Sequence, residues 1–97
     1  MEATGIEQNT ERIASATNTA KYRIPDQLDH DAKIIGEVKN VAKQSLTNQI
    51  KDDIHYSQKT GYTFELTVRQ TSELSKPLKQ QVLQGKVRLK FLPDQFK

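Results

Sequence analysis

The chain of 97 residues contains no cysteine and no tryptophan, and it has only four glycines and three prolines. The absence of cysteine excludes disulfide bonds and thiolate metal ligands. No apolar run approaches the ~20 residues that a membrane-spanning helix requires, and the residues before Lys21 are too polar for a secretion signal. We therefore expect no membrane segment, no export signal within this chain and a single small domain over residues 1–97.

Charge is distributed unevenly along the chain. Up to Asp31 there are six acidic and three basic residues, and from Ala32 onward six acidic and twelve basic ones, which together give the net +3. A basic surface suits a polyanion such as nucleic acid, although a solvated lysine-rich face explains the same composition. Arg69, Arg88 and Lys90 lie on the polar faces of predicted strands, where they would contact a phosphate backbone or only keep the sheet soluble.

The spacing of the apolar residues predicts an α/β fold. Ser45 and Ser75 are N-cap residues that precede apolar residues at helical spacing, and Gly61 and Gly85 stand where helices commonly end. The last two predicted strands flank a helix, so we expect them to pair in parallel. The predicted elements give the order α-β-β-α-β-α-β and a mixed four-stranded sheet flanked by helices. They are a weakly structured helix at 1–18, strands at 19–24 and 34–41, a helix at 46–60, a strand at 62–68, a helix between Ser75 and Gly85, a strand at 86–91 and a frayed tail at 94–97.

The most informative stretch is a pair of β-like runs separated by a turn-rich gap. Glu37 and Lys39 are two residues apart on the second run, so a strand directs both side chains to one face. If the two runs pair as a hairpin, Asp26 reaches the same end of the sheet, just after the first run. Two carboxylates and a lysine would then converge on one point.

This group of side chains suits metal-dependent phosphodiester cleavage. Mg²⁺ or Mn²⁺ held by one or two carboxylates neutralises charge on the phosphate and activates a water molecule. Asp26 and Glu37 are the predicted ligands, with the backbone carbonyl of Val38 as a third oxygen. Lys39 would orient the attacking water or stabilise the transition state. Alternatively, Asp26 is only a turn residue after a proline, and Glu37 and Lys39 form an exposed salt bridge of little energetic value.

The same residues resemble the signature of the PD-(D/E)xK nuclease superfamily, since Pro25-Asp26 is followed, after ten residues, by Glu37-Val38-Lys39. The surrounding segments are similar to restriction-endonuclease-fold toxin domains. Such domains form the C-terminal part of bacterial polymorphic toxins, including contact-dependent inhibition and Rhs-type effectors. The similarity extends from about Gly5 to Pro93. It is carried by Asn-Thr-Glu-Arg-Ile at 9–13, Tyr-Arg-Ile-Pro-Asp at 22–26, Gly-Glu-Val-Lys-Asn-Val at 36–41, Ser-Leu-Thr-Asn-Gln at 45–49 and the segment 68–78.

The resemblance implies a Mg²⁺- or Mn²⁺-dependent endonuclease, with DNA favoured over tRNA as the substrate. It also implies a larger secreted bacterial effector as the parent polypeptide, action in the cytoplasm of the target cell, and neutralisation by a cognate immunity protein. Gln49 matches a glutamine that many of these nucleases carry on the helix after the Glu-x-Lys strand. Glu7 or Glu11 would supply the acid that such nucleases often have near the N-terminus.

Other interpretations remain open on the residues alone. Gln49, with Asp53 and Tyr56 at helical spacing, is equally well explained as the solvated edge of a helix. The two histidines are isolated in sequence and are not assigned to chemistry. A nucleic-acid-binding module without catalysis would keep the basic second half but would not need Asp26. In a small α/β interaction domain the charges would only keep the surface soluble.

Overall fold

A mixed four-stranded sheet with two helices forms the centre of the structure, a computed structural model that describes residues 9–93. The predicted α/β class and four-stranded mixed sheet are confirmed. In chain order the elements are β1 (Ile13–Ala14), β2 (Tyr22–Arg23), β3 (Gln27–Asp29), β4 (Ile34–Lys39), β5 (Lys43–Gln44), α1 (Asn48–Thr60), β6 (Thr63–Val68), β7 (Glu73–Leu74), α2 (Lys76–Leu83) and β8 (Arg88–Phe91).

The sheet has the strand order β3-β4-β6-β8. β3 runs antiparallel to β4, whereas β4, β6 and β8 are parallel to one another. Parallel neighbours need a crossover connection, and α1 and α2 provide the two crossovers. The predicted parallel pairing of the last two strands is therefore confirmed.

Both helices pack against the same face of the sheet. Leu66 lies opposite Glu37 in the register of β4 and β6, so the two side chains share a face. Leu66 packs in the buried core with Ile50 of α1 and Leu78 of α2. Glu37 is thus an acid on the side of the sheet that faces the helices.

α1 begins and ends close to the predicted positions. Its N-cap is Thr47 and not Ser45, since the Thr47 side chain accepts a hydrogen bond from the N–H of Ile50. The helix ends at Gly61, whose φ of 82° lies in the left-handed region that glycine adopts without strain. The predicted C-terminal glycine is confirmed.

α2 follows its predicted cap, because the Ser75 hydroxyl accepts the N–H of Leu78. Leu78 is buried and Val82 packs against the core. Leu83, by contrast, is 85% exposed. It lies about 140° around the helix from Leu78, at 3.6 residues per turn.

The hairpin that precedes the central strand differs from the prediction. β2 is only Tyr22–Arg23 and pairs with β1, not with β4. The partner of β4 is Gln27–Asp29, within the stretch predicted to be a turn. The real turn is shorter because the Asp29 carboxylate accepts the N–H groups of Asp31 and Ala32, each at 3.0 Å.

No helix is present within residues 9–18, so that part of the predicted N-terminal helix is wrong. The short strand β1 lies there, and the Ser15 hydroxyl donates to Asp52 of α1. Asn18 has a φ of 59°, a left-handed conformation that interrupts a right-handed helix. The conformation of this segment is therefore determined by its hydrogen bonds to α1 and not by local helical propensity.

Two predictions fall outside the described residues: the start of that helix at 1–8, which includes Glu7, and the frayed tail at 94–97. Neither α1 nor α2, the helices within 9–93, is long and apolar enough to cross a bilayer.

A second, smaller parallel pair, β5 with β7, joins the connection between β4 and α1 to the connection between β6 and α2. The hydrogen bonds that accompany it are accepted by main-chain oxygens. This pairing holds the segment that leads from β4 to α1. The donors and acceptors are Ser72 Oγ with Val41 O, Glu73 N with Ala42 O and Ser75 N with Gln44 O, at 2.6, 2.8 and 2.9 Å.

Candidate active site

Glu37 is an acid on the buried face of β4 and is only 1% exposed. Its Oε2 accepts a hydrogen bond from Gln49 Nε2 at 3.4 Å, whereas Oε1 has no partner among the described residues. Burial raises the pKa of Glu37; Asp53 and Asp26 raise it further, and Lys39 acts in the opposite direction. Carboxylates with such surroundings are concentrated at functional sites.

Lys39 lies two residues beyond Glu37 on the same face of β4. Its Nζ donates to Gln49 Oε1 at 3.0 Å, and Gln49 in turn donates to Glu37. An amide can connect the two groups because it carries both an acceptor and donors. The predicted glutamine therefore links the ammonium group to the carboxylate from the first turn of α1.

Asp26 reaches β4 from the other side. β3 pairs with β4 only as far as Gly36, and beyond that point the N–H of Val38 donates to Asp26 Oδ2 at 2.8 Å. In a strand the N–H and C=O of one residue point to the same edge, so the Val38 carbonyl faces the edge where Asp26 lies. The negative charge of Asp26 is close enough to raise the pKa of Glu37. Asp26 and Glu37 thus both lie near the end of β4, although their hairpin is not the predicted one.

Asp53 of α1 is a further acid at this site that the sequence analysis did not assign. It lies four residues after Gln49, on the same side of the helix. It is fully buried, and neither carboxylate oxygen has a partner among the described residues. Burial raises the pKa of Asp53, although the contact with Glu37 and the charge of Lys39 act against the shift. The interpretation as a solvated helix edge is wrong for Asp53.

A signal for Asp53 was present in the sequence. Asp53 lies three residues after Ile50 and one before Ile54, so helical spacing puts it on the apolar stripe of α1. An acid on an apolar stripe is either paired or functional. Spacing alone does not tell which strand residue it faces.

The adjacent Asp52 has quite different surroundings. Its carboxylate accepts hydrogen bonds from Ser15 Oγ at 2.7 Å, Thr17 N at 2.8 Å and Arg23 Nε at 2.9 Å. Burial raises the pKa of Asp52, but these hydrogen bonds outweigh burial and hold the pKa below its usual value. We refer to Asp52 with these three partners as the Asp52 anchor, because it fastens the N-terminal segment and β2 to α1.

The structure does not bring Glu11 to this site. Glu11 Oε1 lies 2.8 Å from His30 Nε2, and His30 Nδ1 lies 2.6 Å from the hydroxyl of Tyr62. His30 is in the turn before β4, whereas Glu37 is near the end of that strand. Glu11 therefore lies at the opposite end of β4 from Glu37.

The predicted phosphate-binding residues divide into two groups. Arg88 and Lys90 flank Glu65 at 3.7 and 3.5 Å, and Glu65 lies opposite Gly36 in the register. They are thus on the face of the sheet away from Glu37. Arg69 follows β6. Its Nε donates to Oδ1 of Asn40, the residue directly after Lys39, at 2.5 Å. Arg69 lies just beyond the end of β6, which is level with Lys39, whereas Lys90, although level with Val38 through Thr67, is on the face away from Glu37.

The carboxylates of the site fit a divalent cation. Within residues 9–93 no three acidic, histidine or cysteine side chains stand close enough together to surround one ion. Mg²⁺, however, is usually held by one or two carboxylates, with water and substrate oxygens completing its shell. Three buried oxygens, Glu37 Oε1 and both of Asp53, have no partner in this part of the chain. These are oxygen donors of the kind that Mg²⁺ and Mn²⁺ prefer.

Parallel strands joined by helices on one face, with an acid and a lysine on the strand before α1, are consistent with a restriction-endonuclease-like fold. The chain belongs to the family described as Restriction endonuclease fold toxin 7, whose model matches residues 2–78. Membership of this family indicates a nuclease toxin. The matched range includes Asp26, Glu37, Lys39 and Gln49. Searches of curated proteins and of solved structures give no match.

Proposed function

We propose that the protein is a metal-dependent endonuclease that hydrolyses phosphodiester bonds in the DNA of a target bacterial cell. The observation that carries the proposal is the connected group at the end of β4. Asp26 is hydrogen-bonded to the residue after Glu37, and Gln49 is hydrogen-bonded to both Glu37 and Lys39. Groups from three separate segments thus meet where one phosphate could be bound.

Each of these residues has a chemical role in the proposal. Mg²⁺ or Mn²⁺, when bound, supplies positive charge beside the phosphate and an activated water. Asp26 and Glu37 provide carboxylate oxygens to hold the cation, and the Val38 carbonyl faces the same edge as Asp26. Lys39 presents a charged donor to the attacking water or to the phosphate oxygens that gain negative charge. Gln49 fixes the position of that donor through its hydrogen bond to Nζ.

The proposal extends to the biological setting. The domain is the toxin part of a larger secreted bacterial effector, acts in the cytoplasm of the target cell and serves competition between bacteria. A cognate immunity protein protects the producing cell. Membership of a toxin family supports this setting. Arg69 is the proposed contact to the nucleic acid backbone, because it extends from the sheet end that carries Lys39.

The proposal is tested by incubating the purified domain with plasmid DNA and with total tRNA, each in Mg²⁺, Mn²⁺ or chelator. We expect cleavage of DNA only when a divalent cation is present. Cleavage of tRNA but not of DNA would indicate that the substrate is RNA. Cleavage in chelator would contradict the metal dependence. If the domain binds but cuts neither polymer, it is a nucleic-acid-binding module and not a nuclease.

Two variants test the assigned residues in the same assay. Glu37→Gln and Lys39→Met remove a carboxylate charge and an ammonium group, and each should lower the cleavage rate by about 10²-fold or more. Glu65→Gln and Lys90→Met are matched controls, since both residues lie on the opposite face of the sheet, and they should retain the wild-type rate. Wild-type cleavage by the Lys39 variant would mean that the active site lies elsewhere.

A further inference from the structure

We propose that Asp53 is a cation ligand and forms, with Glu37, a two-carboxylate binding site for a divalent cation between β4 and α1. This site shares Glu37 with the metal site of the proposed nuclease, so the importance of Asp53 for cleavage rests on that function. Cation binding itself can be measured without any cleavage.

Asp53 is the only acid among residues 9–93 whose two side-chain oxygens are both buried without a hydrogen-bond partner. The other buried acids have charged or polar partners. Asp52 accepts three hydrogen bonds, and Glu65 lies between Arg88 and Lys90. The neighbour of Asp53 is the carboxyl group of Glu37 and not a cation, and two buried carboxylates are both ionised only at a high cost in free energy unless a cation binds them.

The ammonium group of Lys39 does not form an ion pair with Asp53 or Glu37. Lys39 lies close enough to affect the pKa of both Glu37 and Asp53. Its Nζ nevertheless donates to the neutral oxygen of Gln49, at 3.0 Å. Gln49 in turn donates a hydrogen bond to Glu37 Oε2, whereas Glu37 Oε1 has no hydrogen-bond partner among the described residues. The protein thus holds its own ammonium group beside the acid pair and leaves three oxygens of that pair available.

The chemistry of these oxygen atoms also fits a divalent cation. Oxygens from carboxylates are the ligands that Mg²⁺ and Mn²⁺ prefer, and one or two carboxylates are enough for Mg²⁺ in many enzymes. The competing account is that Glu37 and Asp53 share only a proton and that Asp53 has a purely structural role. The two accounts predict different affinities for a cation.

The experiment measures Mn²⁺ binding to the full chain carrying Lys39→Met, which keeps all the carboxylates. The electron paramagnetic resonance signal of free Mn²⁺ reports the bound fraction, and the melting temperature is recorded with and without Mn²⁺. When Asp53→Asn is introduced into this Lys39→Met parent, the Mn²⁺ affinity should fall by about tenfold or more. Loss of even a residue that only supports a metal ligand lowers metal affinity by about 10–100-fold. The rise in melting temperature caused by Mn²⁺ should also disappear.

Control variants separate loss of binding from loss of folding. Glu65 is a buried acid on the other face of the sheet, so the Glu65→Gln variant should bind Mn²⁺ like the parent. The Glu37→Gln variant should lose affinity for Mn²⁺. Circular dichroism verifies folding, and Asp53→Ser replaces Asp53→Asn if the asparagine variant does not fold.

Equal Mn²⁺ affinity with and without Asp53, together with loss in Glu37→Gln, would overturn this inference and leave the nuclease proposal intact. A parent protein that binds no Mn²⁺ would overturn both the inference and the metal dependence. Asp53-dependent Mn²⁺ binding without cleavage of any nucleic acid by the wild-type protein would support the inference and contradict the proposed function.

Discussion

Asp52 and Asp53 are neighbours on α1 and both are completely buried, yet their surroundings are opposite. Asp52 accepts three hydrogen bonds from the N-terminal segment and β2. Asp53 is turned by about 100° around the helix, toward Glu37, and accepts none among the described residues. The comparison shows that burial alone does not distinguish the two acids, whereas the presence or absence of hydrogen-bond partners does.

The largest effect that the comparison predicts is on the Asp52 side. Asp52→Ala leaves the groups of Ser15, Thr17 and Arg23 without their acceptor. We expect the free energy of unfolding to fall by about 3 kcal/mol, the low end for a broken buried ion pair, because Arg23 is partly exposed and can reach water. Urea denaturation measures this loss. Asp52→Asn keeps one acceptor oxygen and should lose less; if Asp53→Ala were the more destabilising change, the contrast would be wrong.

A smaller effect, of opposite sign, is expected for Asp53→Asn in the absence of divalent cations. Burial raises the pKa of Asp53 and of Glu37, so the folded protein binds more protons than the unfolded one. Stability from these groups is therefore present near the ordinary carboxyl pKa of about 4 and is lost as the pH rises through the raised pKa values. At neutral pH we expect Asp53→Asn to be more stable than the wild type by about 1–3 kcal/mol.

Thermal unfolding in chelator at a series of pH values measures this difference, which should vanish toward about pH 4.5. Asp52→Asn is the control, because the pKa of Asp52 is lowered and its contribution is lost only as the pH falls below the usual carboxyl range. Parallel pH profiles for the wild type and Asp53→Asn would show that Asp53 is not a strained acid.

The smallest effect concerns a single bond of the Asp52 anchor. Ser15→Ala removes one hydrogen bond and leaves the Thr17 N–H and the Arg23 guanidinium in place. We expect a loss of about 1.5 kcal/mol, the lower value for hydrogen bonds to charged groups, with nuclease activity per folded molecule unchanged. A fall in activity without a fall in stability would indicate that the anchor also positions the site.

The sequence was sufficient to predict those features that depend on local pattern. The alternation at Phe64, Leu66 and Val68 predicts β6, and glycine at position 61 marks the end of α1. The same period-2 rule puts Glu37 and Lys39 on one face. These predictions succeed because side-chain direction in strands and helices follows from residue spacing.

Features that depend on tertiary partners could not be predicted from the sequence. β3 forms because Asp29 closes a tight turn, and the segment around Ser15 is extended because its polar groups bond to Asp52. Helical spacing puts Asp53 on the apolar stripe of α1, but only the packing of α1 against β4 brings it beside Glu37, since no local pattern tells what an acid on a helix faces. Long-range pairing decides these cases.

The connection between β4 and α1 has a consequence for how this protein can diverge. Its attachment to the neighbouring segment uses the main-chain oxygens of Val41, Ala42 and Gln44, and the side chains at positions 41, 42, 43 and 45 are exposed. Substitutions at these positions can change the outer surface, because the main-chain hydrogen bonds that hold the connection do not depend on these side chains. If an inhibitor recognised this stretch, the two surfaces could change together while Lys39 and Gln49 stayed the same.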